Sequence, residues 1–349
     1  MELIKLEDVE FAYGERRVLR GLSLAVRENL VTVLVGPSGS GKSTVLRLIA
    51  GFEAPNRGRV SIGDQVVSMG SRVFQPPESR GVSMVFQDLA LWPHMSVGQT
   101  LEFVLGRDVA RQERRRRITE TLVALGLEAR VDARPAELSG GERQRLALGR
   151  ALVTRPRILL MDEPLANLDP PLRLALLDEI RNLRQRFALT ILYVTHNQAE
   201  AFVLGDEAAV LHDGRIEQSG PPREIYNRPR TPFVAAFLGR CALLPGVWRD
   251  GAIHTELGIL PASEAGSAGT DVYVVVRPED VRVVDDGPFA GSVERVACLG
   301  GVFEAAIAGT AWRLWSIVPD EPKPGTDVRF SITKFAVVAK TGRAEQDLR

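Results

Sequence analysis

The chain has few cysteines, few lysines and no long apolar run, and each shortage excludes something. Cys241 and Cys298 are the only cysteines in 349 residues. They stand apart, without the close spacing of a metal-binding thiol pair. A reduced chain is the simple expectation, with room for one disulfide at most. No stretch of about 18 apolar residues appears, so no segment reads as a membrane-spanning helix. Any task at a membrane would pass through a partner. Lys and Arg total 44, and so do Asp and Glu. Bulk charge therefore gives no affinity for nucleic acid or for an anionic lipid surface. The opening residues Met1–Asp8 are acidic and lack a signal-peptide core. This sets the expectation of a chain that stays in the cytosol. Hydrophobic content of 45% and charged content of 25% are ordinary for a globular protein. The length favours one large domain and a smaller one.

Only five of the 44 basic residues are lysine. One of them is Lys42, within Gly36-Pro37-Ser38-Gly39-Ser40-Gly41-Lys42-Ser43-Thr44. The apolar run Leu30–Val35 precedes this stretch, and Val45–Ala50 follows it. That order spells a buried strand, a glycine-rich turn and a helix. Gly-x4-Gly-Lys-Ser is the spacing of a phosphate-binding loop. Glycines let backbone N–H groups face an anion without Cβ clashes, and the following helix adds its N-terminal dipole. Lys42 reaches the terminal phosphates as a compact point charge. The Ser43 hydroxyl is a magnesium ligand in such a loop.

Around this loop the chain alternates strands and helices. Residues 3–28 read as an antiparallel unit turning at Tyr13-Gly14-Glu15. Tyr13 is a half-buried strand residue or a platform for a nucleotide base. Gly58–Asp64 reads as a strand and hairpin turn, and 69–81 as a turn-rich connection. Val82–Phe86 forms a strand that delivers Gln87, an amide able to hold magnesium and water. Residues 96–136 show helical spacing, including Leu101, Val104, Leu105, Ile118, Leu122 and Leu125. Within them Arg111–Arg117 is a solvated charge run. Ser139 is an N-cap ahead of Gly140, Gly141 and Glu142, which open a second helix with free N–H groups. One nucleotide needs one phosphate cradle in a chain. A second cradle implies a second ligand or a site shared between chains.

Ile158–Met161 is apolar throughout, as a strand covered on both faces requires, and it ends in Asp162-Glu163. Two carboxylates at the tip of a buried strand are costly unless used or paired. Ile191–Thr195 ends in His196, and Ala208–Leu211 is a third buried run. Ligands gather at the carboxyl ends of such strands. The loop at 36–43, Gln87, Asp162, Glu163 and His196 all fall there. His94, His212 and His254 keep an ordinary structural reading. From 221 to 240 proline and short helical runs suggest a linker. Beyond it, short strands at 272–276, 292–298, 302–307, 328–332 and 335–338 suggest a small barrel.

In this order the motifs resemble the ATP-binding subunit of an ABC (ATP-binding cassette) transporter of the importer branch. The likeness covers nearly the whole chain. It rests on Gly36–Ser43 (Walker A), Gln87 (Q-loop), Leu138–Glu142 (signature), Ile158–Glu163 (Walker B), Asn167-Leu168-Asp169 (D-loop) and His196 (switch). The implied fold is an α/β P-loop NTPase cassette with an antiparallel β subdomain and a helical insertion. A small C-terminal all-β, OB-like barrel follows. The implied divisions are a cassette over 1–220 with its helical subdomain at about 88–155, a linker over 221–240, and an accessory barrel over 241–349.

The resemblance also implies roles. ATP and Mg2+ are the expected cofactors. Lys42 and the loop residues Gly36, Ser38, Gly39, Ser40, Gly41, Ser43 and Thr44 would hold the phosphates. Ser43, Gln87 and Asp162 would serve the metal. Glu163 would polarise the attacking water, with His196 on the γ-phosphate. Tyr13 would stack on adenine. Ser139, Gly140, Gly141 and Glu142, with Asp169 of the D-loop, would meet ATP held by another copy. Partners would be that second copy, transmembrane permease subunits docking at Leu91–Met95, and indirectly a periplasmic or lipid-anchored binding protein. No nucleic acid is expected. The place would be the cytoplasmic face of a bacterial inner membrane. The connection through Pro76–Val82 and the tail near Leu243–Gly246 look most like ferric-iron importers, with polyamine, sugar and sulfate uptake as alternatives. A soluble cassette ATPase acting on DNA or ribosomes is the rival class. It commonly needs long coiled-coil insertions, and no long heptad run is present. Glu142 stands where Gln is commoner, Asn197 where Asp is, and Ala166 where Ser is.

Overall fold

β1 (Glu2–Tyr13) and β2 (Arg16–Arg27) form a hairpin. Gly14, at φ 57°, takes the left-handed turn conformation that a two-residue hairpin loop demands. The computed structural model describes residues 1–106, 109–261 and 267–340. Among these the chain divides into two units between Pro222 and Arg223.

In the first unit the buried run becomes β3 (Val31–Val35), every residue of it buried. The glycine-rich turn follows, then α1 (Lys42–Ala50). Next come β4 (Arg57–Ile62), β5 (Gln65–Met69), β6 (Arg72–Val73) and β7 (Val82–Val85). β5 and β6 had no clear sequence signal. Part of the expected connection is therefore strand, although Pro77–Ser79 is a short 3-10 turn. The helical block is α2 (Val97–Leu105), α3 (Arg111–Leu125) and α4 (Gly140–Leu152). Then come β8 (Ile158–Asp162), α5 (Pro170–Phe187), β9 (Thr190–Thr195), α6 (Gln198–Leu204), β10 (Glu207–His212) and β11 (Arg215–Gly220).

Two sheets result. β2-β1-β4-β5-β6 is antiparallel. The central sheet runs β11-β10-β3-β9-β8-β7, parallel except for β11. One core joins them. Val45, Leu46, Leu48 and Ile49 of α1 are fully buried against residues of both sheets, including Leu6, Leu22 and Leu160. Each such side chain contributes roughly 1.5–3 kcal/mol by leaving water. That burial holds the helix carrying Lys42 and Ser43 against the strand tips. The charge run at 111–117 lies on α3, where Glu113 and Glu120 pair with Arg116 and Arg117.

The second unit opens with α7 (Pro222–Asn227) and α8 (Pro232–Phe237). Its strands are β12 (Ala242–Arg249), β13 (Ala252–Thr255), β14 (Gly258–Pro261), β15 (Asp271–Val276) and β16 (Val281–Val283). They continue with β17 (Phe289–Cys298), β18 (Phe303–Ala308), β19 (Arg313–Val318), β20 (Asp327–Ile332) and β21 (Ala336–Ala339). These form two five-stranded sheets, β14-β13-β12-β15-β21 and β16-β20-β17-β18-β19. Leu244, Trp248 and Val274 of one share a core with Ile307, Leu314 and Phe330 of the other. The second sheet curls almost shut, since Ser316 of β19 donates 2.7 Å to the Val281 carbonyl of β16. The helices at 222–237 are tied to this unit. Arg277 donates to the Gly239, Arg240 and Tyr226 carbonyls, and its guanidinium lies 3.9 Å over the Tyr226 ring. Among the described residues no helix is long and apolar enough to cross a membrane.

Candidate active site

Steric limits around single glycines shape the loop at 36–44. A Cβ on Gly36 would stand 2.2 Å from the Leu211 carbonyl oxygen of β10 and 2.9 Å from Ser40 Oγ. One on Gly41, the N-cap of α1 at φ 107°, would meet Leu19 at 2.8 Å. The loop is thus pressed between β2 and the β10 end, with its concave side left for an anion. Ser40 Oγ is buried without a hydrogen-bond partner, a polar atom that a phosphate oxygen would satisfy.

Lys42 is 5% exposed and folds back to donate to the Gly36 and Pro37 carbonyls at 3.0 and 2.9 Å. Burial lowers its pKa, and the nearby carboxylates of Glu163 and Asp162 resist that. Ser43 Oγ donates to Asp162 Oδ1 at 2.9 Å, which joins the first turn of α1 to the tip of β8. Burial raises the Asp162 pKa, the Ser43 hydrogen bond opposes this, and the charge on Glu163 adds to it.

Glu163 has φ 42°, a left-handed conformation that non-glycine residues rarely take. Its N–H is held by the Val194 carbonyl at 3.0 Å. Its carboxylate reaches two groups. Oε1 lies 3.9 Å from Lys42 Nζ, and Oε2 lies 2.8 Å from His196 Nδ1. A carboxylate can only accept, so Nδ1 carries the proton of this bond. Backbone strain of this kind gathers at functional sites.

The structure therefore brings Lys42, Ser43, Asp162, Glu163 and His196 into one chain of contacts. Thr44 is buried beside them on α1. Ser38 and Gly39 are exposed on the loop. Tyr13 is 41% exposed at the end of β1, braced edge-on by Phe11 at 4.8 Å, with Arg47 donating to its hydroxyl at 3.4 Å. Gln87 is not joined to the others. β7 ends at Val85, and Gln87 is exposed in the following turn without a side-chain hydrogen bond among the described residues.

The Ser139 N-cap and the helix it opens form as the sequence predicts. Ser139 Oγ accepts from the Glu142 N–H at 3.2 Å, and Glu142 Oε2 accepts from the Ser139 N–H at 2.8 Å. This is a reciprocal capping box. Arg130 donates to Glu142 Oε1 at 2.8 Å. The Ser139 hydrogen bonds and Arg130 lower the Glu142 pKa to about 2. The added negative charge at this position is therefore already matched. A Cβ on Gly140 would stand 3.7 Å from Leu168. Both glycines pack toward Leu168 and Leu172 beside the D-loop, where a Cβ on Gly141 would meet Leu172 at 3.1 Å. Asp169 caps α5, accepting from the Leu172 N–H at 3.0 Å.

Sequence reasoning missed Arg130 and also Arg150. Arg150 is 8% exposed, hydrogen-bonds the Ala90 carbonyl and lies 5.6 Å over the Trp92 ring. Arg130 carries no motif, and its role follows only from where α4 begins.

A phosphate loop, a hydroxyl–carboxylate pair and a carboxylate–imidazole pair at the ends of parallel strands are the equipment of a P-loop nucleoside triphosphatase. Comparison with known proteins narrows this. The ABC transporter family matches residues 19–166. The glycerol-3-phosphate import ATP-binding protein UgpC of Ruegeria pomeroyi is 40% identical over 341 residues, 96% of this chain and 95% of its own. The trehalose/maltose import ATP-binding protein MalK of Thermococcus litoralis is 42% identical over 318 residues, 85% of this chain and 86% of its own. The spermidine/putrescine import ATP-binding protein PotA of Acidothermus cellulolyticus is 42% identical over 322 residues, 88% and 82% respectively. The solved structure of cbiO1 from Clostridium perfringens, part of the ABC transporter complex cbiONQ, superposes with TM-score 0.59 at 26% identity. It covers 64% of this chain and 90% of its own. The chain belongs to the ABC transporter family. Within that family it is an ATP-binding, ATP-hydrolysing subunit of the importer type.

Proposed function

We propose that two copies of this chain close around two ATP molecules, each site pairing the 36–44 loop of one copy with Ser139-Gly140-Gly141 of the other. The observation that carries this reading is that one chain offers two cradles with different neighbours. The loop has Lys42, Ser43, Asp162, Glu163 and His196 around it, whereas the contacts of Gly140 and Gly141 lead to Leu168 and Leu172. Each cradle is half of a γ-phosphate shell.

The residues fit Mg2+. Ser43 Oγ and Asp162 Oδ1, 2.9 Å apart, offer a hydroxyl and a carboxylate. Among the described residues no group of three or more His, Cys, Asp or Glu could hold a metal by itself. One carboxylate plus substrate phosphates is the usual way magnesium is held. When bound, it offsets charge on the transferring phosphoryl group. Gln87 would join this set by movement of its turn.

Lys42 binds the terminal phosphates, leaving the Gly36 and Pro37 carbonyls to do so. Tyr13 stacks on the base. Glu163 accepts a hydrogen bond from the attacking water, and His196 holds the Glu163 carboxylate in place. Phosphoryl transfer demands mainly positioning and charge stabilisation. We assign residues 1–220 to this cassette, 221–240 to the linker and the β-rich remainder to an accessory role. Permease subunits would dock at Leu91–Met95 on the cytoplasmic face. The expectation of ferric iron finds no support in the relatives named above, which are named for glycerol phosphate, trehalose/maltose and polyamines. The better-supported cargo is a small organic solute, with sugars and glycerol phosphate foremost.

Glu163→Gln tests the chemistry. The variant should bind ATP with near-normal affinity and lose turnover by about 10²–10³-fold, in the range of removing one catalytic group. Normal turnover would remove Glu163 from the mechanism.

A further inference from the structure

Beside the phosphate loop lies a pocket of about 420 Å³ whose arginine wall the roles above leave unused. Arg16, Arg17 and Arg20 of β2 line it together with Pro37–Ser40 of the loop. Asp213 is the only carboxylate in the lining. Other arginines of the same sheet are paired, Arg59 with Glu7 and Arg27 with Glu207. Arg16, Arg17 and Arg20 form no ion pair or side-chain hydrogen bond among the described residues. Three unpaired guanidinium groups around one concavity leave a strong local positive potential.

Arg16 is the best placed of the three. It sits directly opposite Tyr13 in the hairpin register. Its Nη2 lies 3.9 Å from the point where a Gly39 Cβ would stand. Its head group therefore reaches the first half of the loop. The unpartnered, 93%-buried Ser40 hydroxyl lines the same pocket. A guanidinium fork beside backbone amides and a hydroxyl matches a tetrahedral oxyanion.

We propose that Arg16, supported by the field of Arg17 and Arg20, binds a phosphate oxyanion at the Pro37–Ser40 side of the loop. This rests on the ATP site described above and extends it. The oxyanion belongs to the chain of the bound nucleotide or to free pyrophosphate seated beside it. Both sources share one chemistry, and one experiment separates them.

Calorimetric titration of the full chain with ATP, ADP, adenosine and pyrophosphate is the test. The variants are Arg16→Gln, Arg16→Lys and, as an exposed control on α3, Arg115→Gln. If the anion is the nucleotide's own, Arg16→Gln weakens ATP and ADP about tenfold, a typical loss for one charge-assisted contact. Adenosine binding stays as it was, Arg16→Lys recovers part of the loss, and Arg115→Gln changes nothing. If the source is free anion, Arg16→Gln leaves ATP affinity intact and abolishes pyrophosphate binding to the ATP-saturated chain. Unchanged affinity for ATP, ADP and pyrophosphate overturns the proposal, as does an equal loss for adenosine. Failure of the parent chain to bind ATP would strike the underlying site instead.

Discussion

Asp162 shows how one residue is set against stability for a task. It ends a wholly buried strand, and burial raises its pKa. The charged form is therefore less favourable folded than unfolded, so ionised Asp162 costs stability at neutral pH, and this cost fades as pH falls through its raised pKa. Asp162→Asn keeps an acceptor for Ser43 while removing the charge. The nucleotide-free variant should melt about 2–4 °C higher, as roughly 1 kcal/mol does in a unit of this size. Its magnesium-dependent ATP hydrolysis should be lost. Scanning calorimetry beside a phosphate-release assay reads both, and a lower melting point would show that Asp162 is structural. Glu142 is the reverse case. Its charge is satisfied by the Ser139 N–H and by Arg130, and it strengthens the cap of α4.

At the scale of elements, the helical layer depends on close approach. Gly149 of α4 faces α3 and α2, and a Cβ there would meet Leu125 at 2.8 Å, with Leu101 and Thr121 at 3.5 Å. Gly149→Val should cost about 1–3 kcal/mol by overpacking and lower the urea midpoint by roughly 0.5–1 M. An unchanged midpoint would mean that α4 shifts freely. Much of this layer, and nearly all of the phosphate loop, could be read beforehand. Loop spacing, continuous apolar runs and a serine N-cap are local signals, and β3, α1, α4, β8 and β9 follow them within a residue or two. β5, β11, β13, β16 and β19 could not be read this way. They are short, and what fixes them is pairing with distant partners, as β16 pairs β20 across the second unit. The side-chain pairs of the site were likewise hidden. Ser43–Asp162 and His196–Glu163 join segments 119 and 33 residues apart, and only the parallel strand order brings them together. Gln87 was legible as a motif but not as an exposed turn residue detached from the rest.

The whole molecule is two units with separate cores, the first carrying every residue given a role in ATP chemistry. Within the first unit the proposed ATP site is divided. On the proposed reading the loop and strand tips form one half, and the Ser139 cap forms the other. Arg150 runs from the signature helix to Ala90 and Trp92 beyond Gln87, linking that second half to the segment assigned to permease docking. The central claim is that ATP completes the site by drawing in a second copy. The direct measurement is sedimentation equilibrium of Glu163→Gln with and without ATP and magnesium, alongside the same chain carrying Ser139→Arg. The account predicts a doubling of mass on adding ATP that Ser139→Arg abolishes while ATP binding to the single chain persists. An ATP-saturated Glu163→Gln chain that stays monomeric, or a dimer that forms regardless of Ser139→Arg, would contradict it.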